Sequence, residues 1–387
     1  MKLLVTIALA LLLGSSPAST QDTTKVKPLV KGGIYDRPFI LRPTSRIAIG
    51  GYAETMLRSE YVDGVHESFS FEARRFNIFF YSSIASLIKL MSELEFEHGT
   101  EEIKLETALI DVQFADALNF RTGILLSPLG RFNLAHDSPR NELTDRPLVS
   151  TRIIPATLSE TGLGFYGTVY PADAHQLTYE AYLVNGLNDD IVLGGDGTSI
   201  PEGRPKAFEE DNNGSPAFVG RVAWLPEFGA ELGFSVHTGA YNTFEKEGVT
   251  VDRKHSLTIL AMDAAYEWSD LRVEGEYASA YVDIPTSLVG LFAERQEGYY
   301  AQGTYTVLRQ IIPGFPQSSL AACARYDFVD LDAKLPGDDT KRLTVGLNLR
   351  LVPETAIKLD YQHNWITDRI GNQTRTAAIQ FGMATYF

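Results

Sequence analysis

Cysteine is all but missing from this chain: Cys323 is the only one in 387 residues, which rules out an intramolecular disulfide framework. Long apolar runs are scarce too. The run at 3–13 falls short of the roughly 18 apolar residues a spanning helix needs, and no other run is long enough. Positive charge is in deficit, with 34 Lys and Arg against 49 Asp and Glu and a net charge of -15, which argues against nucleic acid as a partner. No nucleophile elbow, zinc motif or phosphate loop occurs, so no cofactor or metal is expected and the chain does not read as an enzyme.

The chain does have alternation. Near its end Ile379, Phe381, Met383 and Thr385 share one face of an extended segment, and Gln380, Gly382 and Ala384 share the other. A last strand of this kind, closing on Phe387, matches the assembly signal of bacterial outer-membrane barrels. It sets the expectation of an all-β, transmembrane antiparallel β-barrel. A mean hydropathy of -0.08 would suit a soluble protein, but in a barrel only alternate residues meet lipid.

At the other end, Lys2, the apolar run and then Ser16 and Ala18 at the minus-three and minus-one places predict a secretory signal peptide over 1–18. Residues 19–45 carry Pro28, Pro38 and Pro43 with little periodicity, and are expected to form a periplasmic tail or a lumen insert. The barrel is assigned to 46–387.

Within that range sixteen strands are expected, near 47–57, 69–82, 87–97, 104–114, 119–126, 161–170, 176–185, 216–225, 231–239, 256–267, 271–281, 298–308, 319–330, 342–351, 356–366 and 375–387. In one of them Lys89, Met91, Glu93, Glu95 and Glu97 alternate with Leu90, Ser92, Leu94 and Phe96. In another Leu343, Val345, Leu347 and Leu349 alternate with Thr344, Gly346, Asn348 and Arg350. The links between strands alternate in length. Short ones at 83–86, 115–118, 171–175, 226–230, 268–270 and 352–355 read as periplasmic turns, and 309–318 is the long exception. The links at 127–160, 186–215, 241–255 and 282–297 read as external loops.

Several strand segments resemble the phosphate-selective porin O and P family. They are Phe71-Glu72-Ala73-Arg74-Arg75-Phe76, the Glu-rich strand through Glu97, 123–130, 182–186, Arg325-Tyr326-Asp327 and Gly346-Leu347-Asn348. The resemblance implies a sixteen-stranded porin of the Gram-negative outer membrane, usually a homotrimer, that passes small solutes and ions.

The lumen phase carries acids at Glu54, Glu93, Glu95, Glu97, Glu106, Asp111, Glu180, Asp263, Glu267, Glu274, Glu276, Asp327 and Asp360. Bases there are Lys89, Arg121, Arg221, Arg272, Arg325, Arg350 and Lys358, with one of Arg74 or Arg75. Acids outnumber bases, which does not favour phosphate selectivity. The 34-residue link at 127–160 is the candidate constriction. Its Arg131, Arg140, Arg146 and Arg152, with Arg121 and Lys89 on the wall, are the candidate solute contacts.

The alternative for those loop arginines is contact with lipopolysaccharide phosphates. His136-Asp137-Ser138 in the same loop is the one constellation that suggests hydrolysis, although adjacency in sequence does not make a relay. The acidic link at 186–215 lacks the spacing of a calcium loop. Tyr170, Trp224, Trp268, Tyr299, Trp365 and Phe387 fall where rings would sit at a lipid boundary. Together these features predict a passive outer-membrane channel for small hydrophilic solutes and ions. A channel selective for phosphate or other anions is the first alternative, and a barrel enzyme or adhesin the second.

Overall fold

A computed structural model describes residues 33–41, 46–99, 101–172, 175–193, 197–204, 208, 211–226 and 229–387. The expected leader at 1–18 and much of 19–45 lie outside the described residues. Sixteen strands close into one antiparallel barrel. They are β1 (Ile47–Val62), β2 (Val65–Ser83), β3 (Ile88–Glu97), β4 (Glu102–Ala115), β5 (Leu118–Leu126), β6 (Ser159–Ala172), β7 (His175–Val184), β8 (Ala217–Leu225), β9 (Ala230–Ala240), β10 (Ser256–Trp268), β11 (Leu271–Val282), β12 (Arg295–Arg309), β13 (Ser319–Asp330), β14 (Asp339–Val352), β15 (Thr355–Thr367) and β16 (Gln373–Tyr386). Each pairs with its neighbours in the chain, and β16 returns to β1 with Tyr52 opposite Tyr386 and Val62 opposite Thr376. Every strand expected from alternation is present.

The two faces of the wall meet different surroundings. On β14, β15 and β16 the register sets Leu347 beside Leu359 and Leu359 beside Phe381, with Val345, Tyr361 and Ile379 in the next row. These six point outward and are 43–51 % exposed, while Thr344, Asn348, Lys358, Asp360, Gln362 and Gln380 on the opposite phase are buried inside. Apolar rows outside and ionised groups inside invert the arrangement of a water-soluble globule, and suit a cylinder standing in hydrocarbon. No helix among the described residues is long and apolar enough to cross a membrane.

Three features depart from the expected pattern. Residues 58–68 do not form an extended link: β1 and β2 run 16 and 19 residues and meet at the turn Asp63-Gly64. Polar residues on both faces there, such as Glu60, His66, Glu67 and Ser68, hide the period-two signal without weakening the backbone ladder. Both Arg74 and Arg75 turn inward where one was expected. A bulge opposite Glu54 and Thr55 inserts one extra residue in β2, so consecutive side chains share a face. A second bulge, opposite Glu93 and Leu94, does the same for Glu106 and Thr107 on β4.

The third departure concerns the interior. Toward the long-loop end it is filled with apolar side chains: Leu129, Val149, Ile153, Ile154 and Leu158 from the loop at 127–158, with Ile191 and Ile200, pack on Val219, Ile259, Ala261 and Ala280 of the wall. Toward the turn end, residues 33–41 lie against the wall. There Tyr35 and Ile40 pack with Tyr81, Met91 and Leu109, and Phe39 stacks on Phe79 at 5.5 Å.

Candidate channel constriction

The loop at 127–158 crosses the lumen, and polar wall groups hold its backbone. Ser235 of β9 accepts the Gly130 N–H at 3.0 Å, Glu276 of β11 the Phe132 N–H at 3.1 Å, Asp327 of β13 the Leu148 N–H at 2.9 Å and Asp360 of β15 the Thr144 N–H at 2.5 Å. Wall cations take the carbonyls. Lys358 donates to Ser138 O at 2.8 Å, Arg350 to Pro139 O at 2.7 Å and Arg342 to Arg146 O at 2.6 Å. A loop buried inside the barrel must have its N–H and C=O groups satisfied, and here ionised side chains do so. Much of the lumen charge legible in the sequence is therefore committed to anchoring the loop.

Two carboxylates of the loop are themselves anchors. Asp137 accepts two hydrogen bonds from Arg37, both at 2.9 Å, and Arg37 also reaches Glu93 at 2.8 Å. Asp145 accepts from Arg58 at 3.1 Å, Arg74 at 3.0 Å and Gln380 at 2.8 Å. Burial alone would raise both carboxyls. The Arg37 guanidinium beside Asp137, and those of Arg74 and Arg58 beside Asp145, reverse this and hold both well below the usual carboxylate range.

The six candidate residues fall in different settings. Arg131 pairs with Glu231 at 3.2 Å and Glu274 at 3.3 Å, while Arg140 meets Tyr386 Oη at 3.0 Å and Asp36 at 3.2 Å. Arg121 is clamped by Asp111 at 2.8 and 2.9 Å and lies 4.4 Å over the Tyr166 ring. Lys89 donates to Ser83 Oγ at 2.7 Å near the turn end. Arg152 is exposed at the end of the short helix Leu148–Arg152. Arg146 donates from Nη1 to Ala156 O and Thr157 Oγ1, both at 3.3 Å, while its Nε and Nη2 have no hydrogen-bond partner among the described residues.

Two chambers flank the loop. A cavity of about 230 Å³ toward the turn end is lined by Arg131, Arg140, Asp145, Pro147, Arg272 and Arg325. A second, of about 400 Å³ toward the loop end, is lined by Glu95, Glu97, Arg146, Thr157, Glu202 and Arg204. Residues 145–147 present side chains to both, so this stretch is the partition between them. Arg131 and Arg140 thus share one chamber and Arg146 faces the other, while Lys89, Arg121 and Arg152 line neither.

Arg37, Arg58 and Arg342 belong to this network and escaped the sequence reading, which counted only one of Arg74 and Arg75. Arg342 shares the phase of Thr344 and was legible, whereas Arg37 sits in an aperiodic segment that carries no such signal. His136, Asp137 and Ser138 diverge: His136 Nε2 faces Glu106 at 2.9 Å, Asp137 faces Arg37, and Ser138 donates to Glu54 at 2.7 Å. They form no relay.

A closed sixteen-strand barrel here holds a loop folded across its lumen, and solved structures share the overall fold. The chain is similar to the anion-selective porin from Comamonas acidovorans (TM-score 0.55, 10% identity, 88% of this chain and 99% of that one). It is also similar to the outer membrane channel DcaP of Acinetobacter baumannii (0.55, 13%, 89% and 99%) and to a trimer form of OmpT, an outer membrane protein of Vibrio cholerae (0.55, 11%, 89% and 100%). At these identities the likeness is one of fold. In sequence, an uncharacterized protein of Aquifex aeolicus (strain VF5) is 27% identical over 368 residues, covering 86% of this chain and 79% of its own. No family model matches.

Proposed function

We propose that this protein is a passive channel of the Gram-negative outer membrane for small hydrophilic solutes and ions. One observation carries the reading: two chambers with ionisable side chains in their lining, toward opposite ends of an externally apolar cylinder, are divided by a charged partition, residues 145–147. Hydrocarbon outside and ionised groups within favour a wet path whose selectivity comes from width and charge. The short-turn end then faces the periplasm and the long loops face outward. The porins and channels among the structures of like fold support the same reading.

The leader at 1–18 would direct export. A homotrimer is the assembly we favour, since a trimer form is described for one protein of like fold. A preference for anions, phosphate included, is the second reading, and the uncommitted N–H groups of Arg146 favour it. Planar-bilayer recording of the purified protein in a salt gradient tests both. Absence of steady open-channel current would refute the channel, and reversal potentials untouched by Arg131→Glu with Arg140→Glu would remove these two residues from the path.

A further inference from the structure

We propose that Glu93, Glu106 and His136 form a binding site for a divalent first-row transition ion, Zn²⁺ in the first instance, that pins the lumen loop to the barrel wall. One donor atom from each lies within 4.8 Å of the others, and all three residues are buried. Metal–ligand bonds of about 2.0–2.2 Å set donors roughly 3–4 Å apart, so small side-chain adjustments would close the set.

Three observations point to a cation rather than to a satisfied hydrogen-bond cluster. First, His136 Nδ1 lies 2.8 Å from Asn133 O, which can only accept, so Nδ1 carries the hydrogen. Nε2 then points at a Glu106 carboxyl oxygen at 2.9 Å, and a metal ion can stand between that nitrogen and that oxygen in place of a proton. A backbone carbonyl on the far nitrogen is the partner that metal-ligating histidines use to fix tautomer and orientation.

Second, Glu106 Oε2 has no hydrogen-bond donor among the described residues although Glu106 is only 4 % exposed. A buried carboxylate oxygen left without a donor is costly. The Glu95 carboxyl stands within hydrogen-bonding reach of Glu106, so two acids crowd one corner of the site. The β4 bulge is what brings Glu106 to the same inner face as Thr107, since an unbroken ladder running on from Thr107 would turn it outward.

Third, acids crowd this corner: of Glu93, Glu95, Glu106 and Asp137, Arg37 bonds Glu93 at 2.8 Å and Asp137 at 2.9 Å and Asn77 donates to Glu93 at 2.7 Å, so Glu106 is a carboxyl that no Lys or Arg bridges among the described residues. Arg75 stands 3.6 Å from Glu95 but is bonded to Glu54 at 3.0 Å and Glu97 at 2.8 Å. One divalent ion would offset the excess. The imidazole among the donors selects zinc-like ions over calcium, which prefers six to eight oxygens.

The test uses the full chain folded in detergent micelles, titrated with Zn²⁺ by calorimetry and with Co²⁺ by visible absorption. One ion per chain is expected. Glu106→Gln and His136→Gln should each weaken binding about tenfold or more, and His363→Gln on the outer wall should not. Heat-modifiable migration in gels certifies that each variant is folded. If a variant fails that check, the wild type decides alone: saturating Zn²⁺ must slow proteolysis within 127–158. Absence of stoichiometric binding at millimolar Zn²⁺, binding indifferent to both substitutions in folded protein, or Ca²⁺ binding as tight as Zn²⁺ would overturn the site.

Discussion

Reversing the charge of Arg146 is the sharpest probe of the constriction. Its guanidinium lines the loop-end chamber with Nε and Nη2 uncommitted, and its hydrogen bonds to Ala156 O and Thr157 Oγ1 are long, both at 3.3 Å. A monovalent anion passing about 6 Å from that charge gains roughly 0.7 kcal/mol in a water-like dielectric. Exchanging one positive for one negative charge therefore removes about 1.4 kcal/mol, which is about tenfold in relative anion permeability. Arg146→Gln should give about half that energy, roughly threefold. The assay is the reversal potential of folded protein in a planar bilayer across a potassium chloride gradient, read for wild type, the Gln variant and the Glu variant in order. A graded move toward cation preference is expected. Three identical reversal potentials would refute a role for Arg146 in the conducting path.

Three more outcomes are open to measurement. Arg121→Met strands Asp111, to which the Tyr166 hydroxyl still donates at 2.9 Å, and should cost about 3–5 kcal/mol of stability. Thermal unfolding in micelles reads it, and a loss under about 1 kcal/mol would contradict the buried-pair argument. Because the folded-state pKa values of Asp137 and Asp145 are depressed, their stabilisation of the docked loop is fully present above the unfolded value near 3.9, and fades as pH falls through the folded values. Proteolysis of the loop should therefore stay constant from pH 7 down to about 4 and rise only below it, whereas a rise already near pH 5 would show that the carboxylates are not so held. Deleting Phe387 removes its backbone bonds to Gly51, at 3.0 and 3.2 Å, and its stack on Phe76 at 5.6 Å. Heat-modifiable protein should fall, and unchanged levels would show that this contact is dispensable.

The barrel was legible because its signal is local. Leu343, Val345 and Leu347 declare an outward face within five residues, and sixteen such segments need no knowledge of one another. The site was not legible in the same way. Thr144 meets Asp360 and Leu148 meets Asp327 across 216 and 179 residues of chain, and no period encodes such pairs. A bulge defeats period counting where it matters, at Arg74 and Arg75, which both turn inward. One clue was present and unused: in β10 Leu257, Ile259 and Ala261 alternate with Leu260 and Met262, apolar on both sides. A strand greasy toward the lumen has to be covered, and the loop residues Ile153, Ile154 and Leu158 belong to the cluster that covers it.

The seam between β1 and β16 sets the order in which this molecule can be built. Fifteen of its strand pairings join neighbours along the chain and can zip as hairpins, but the eleven residue pairs of the seam unite opposite ends of the polypeptide. Until they meet, two rows of bare amides and carbonyls are left over, and each group stranded in lipid costs several kcal/mol. A half-finished sheet therefore has no resting place in the bilayer. Insertion and closure must advance together, or wait on machinery that shields both margins.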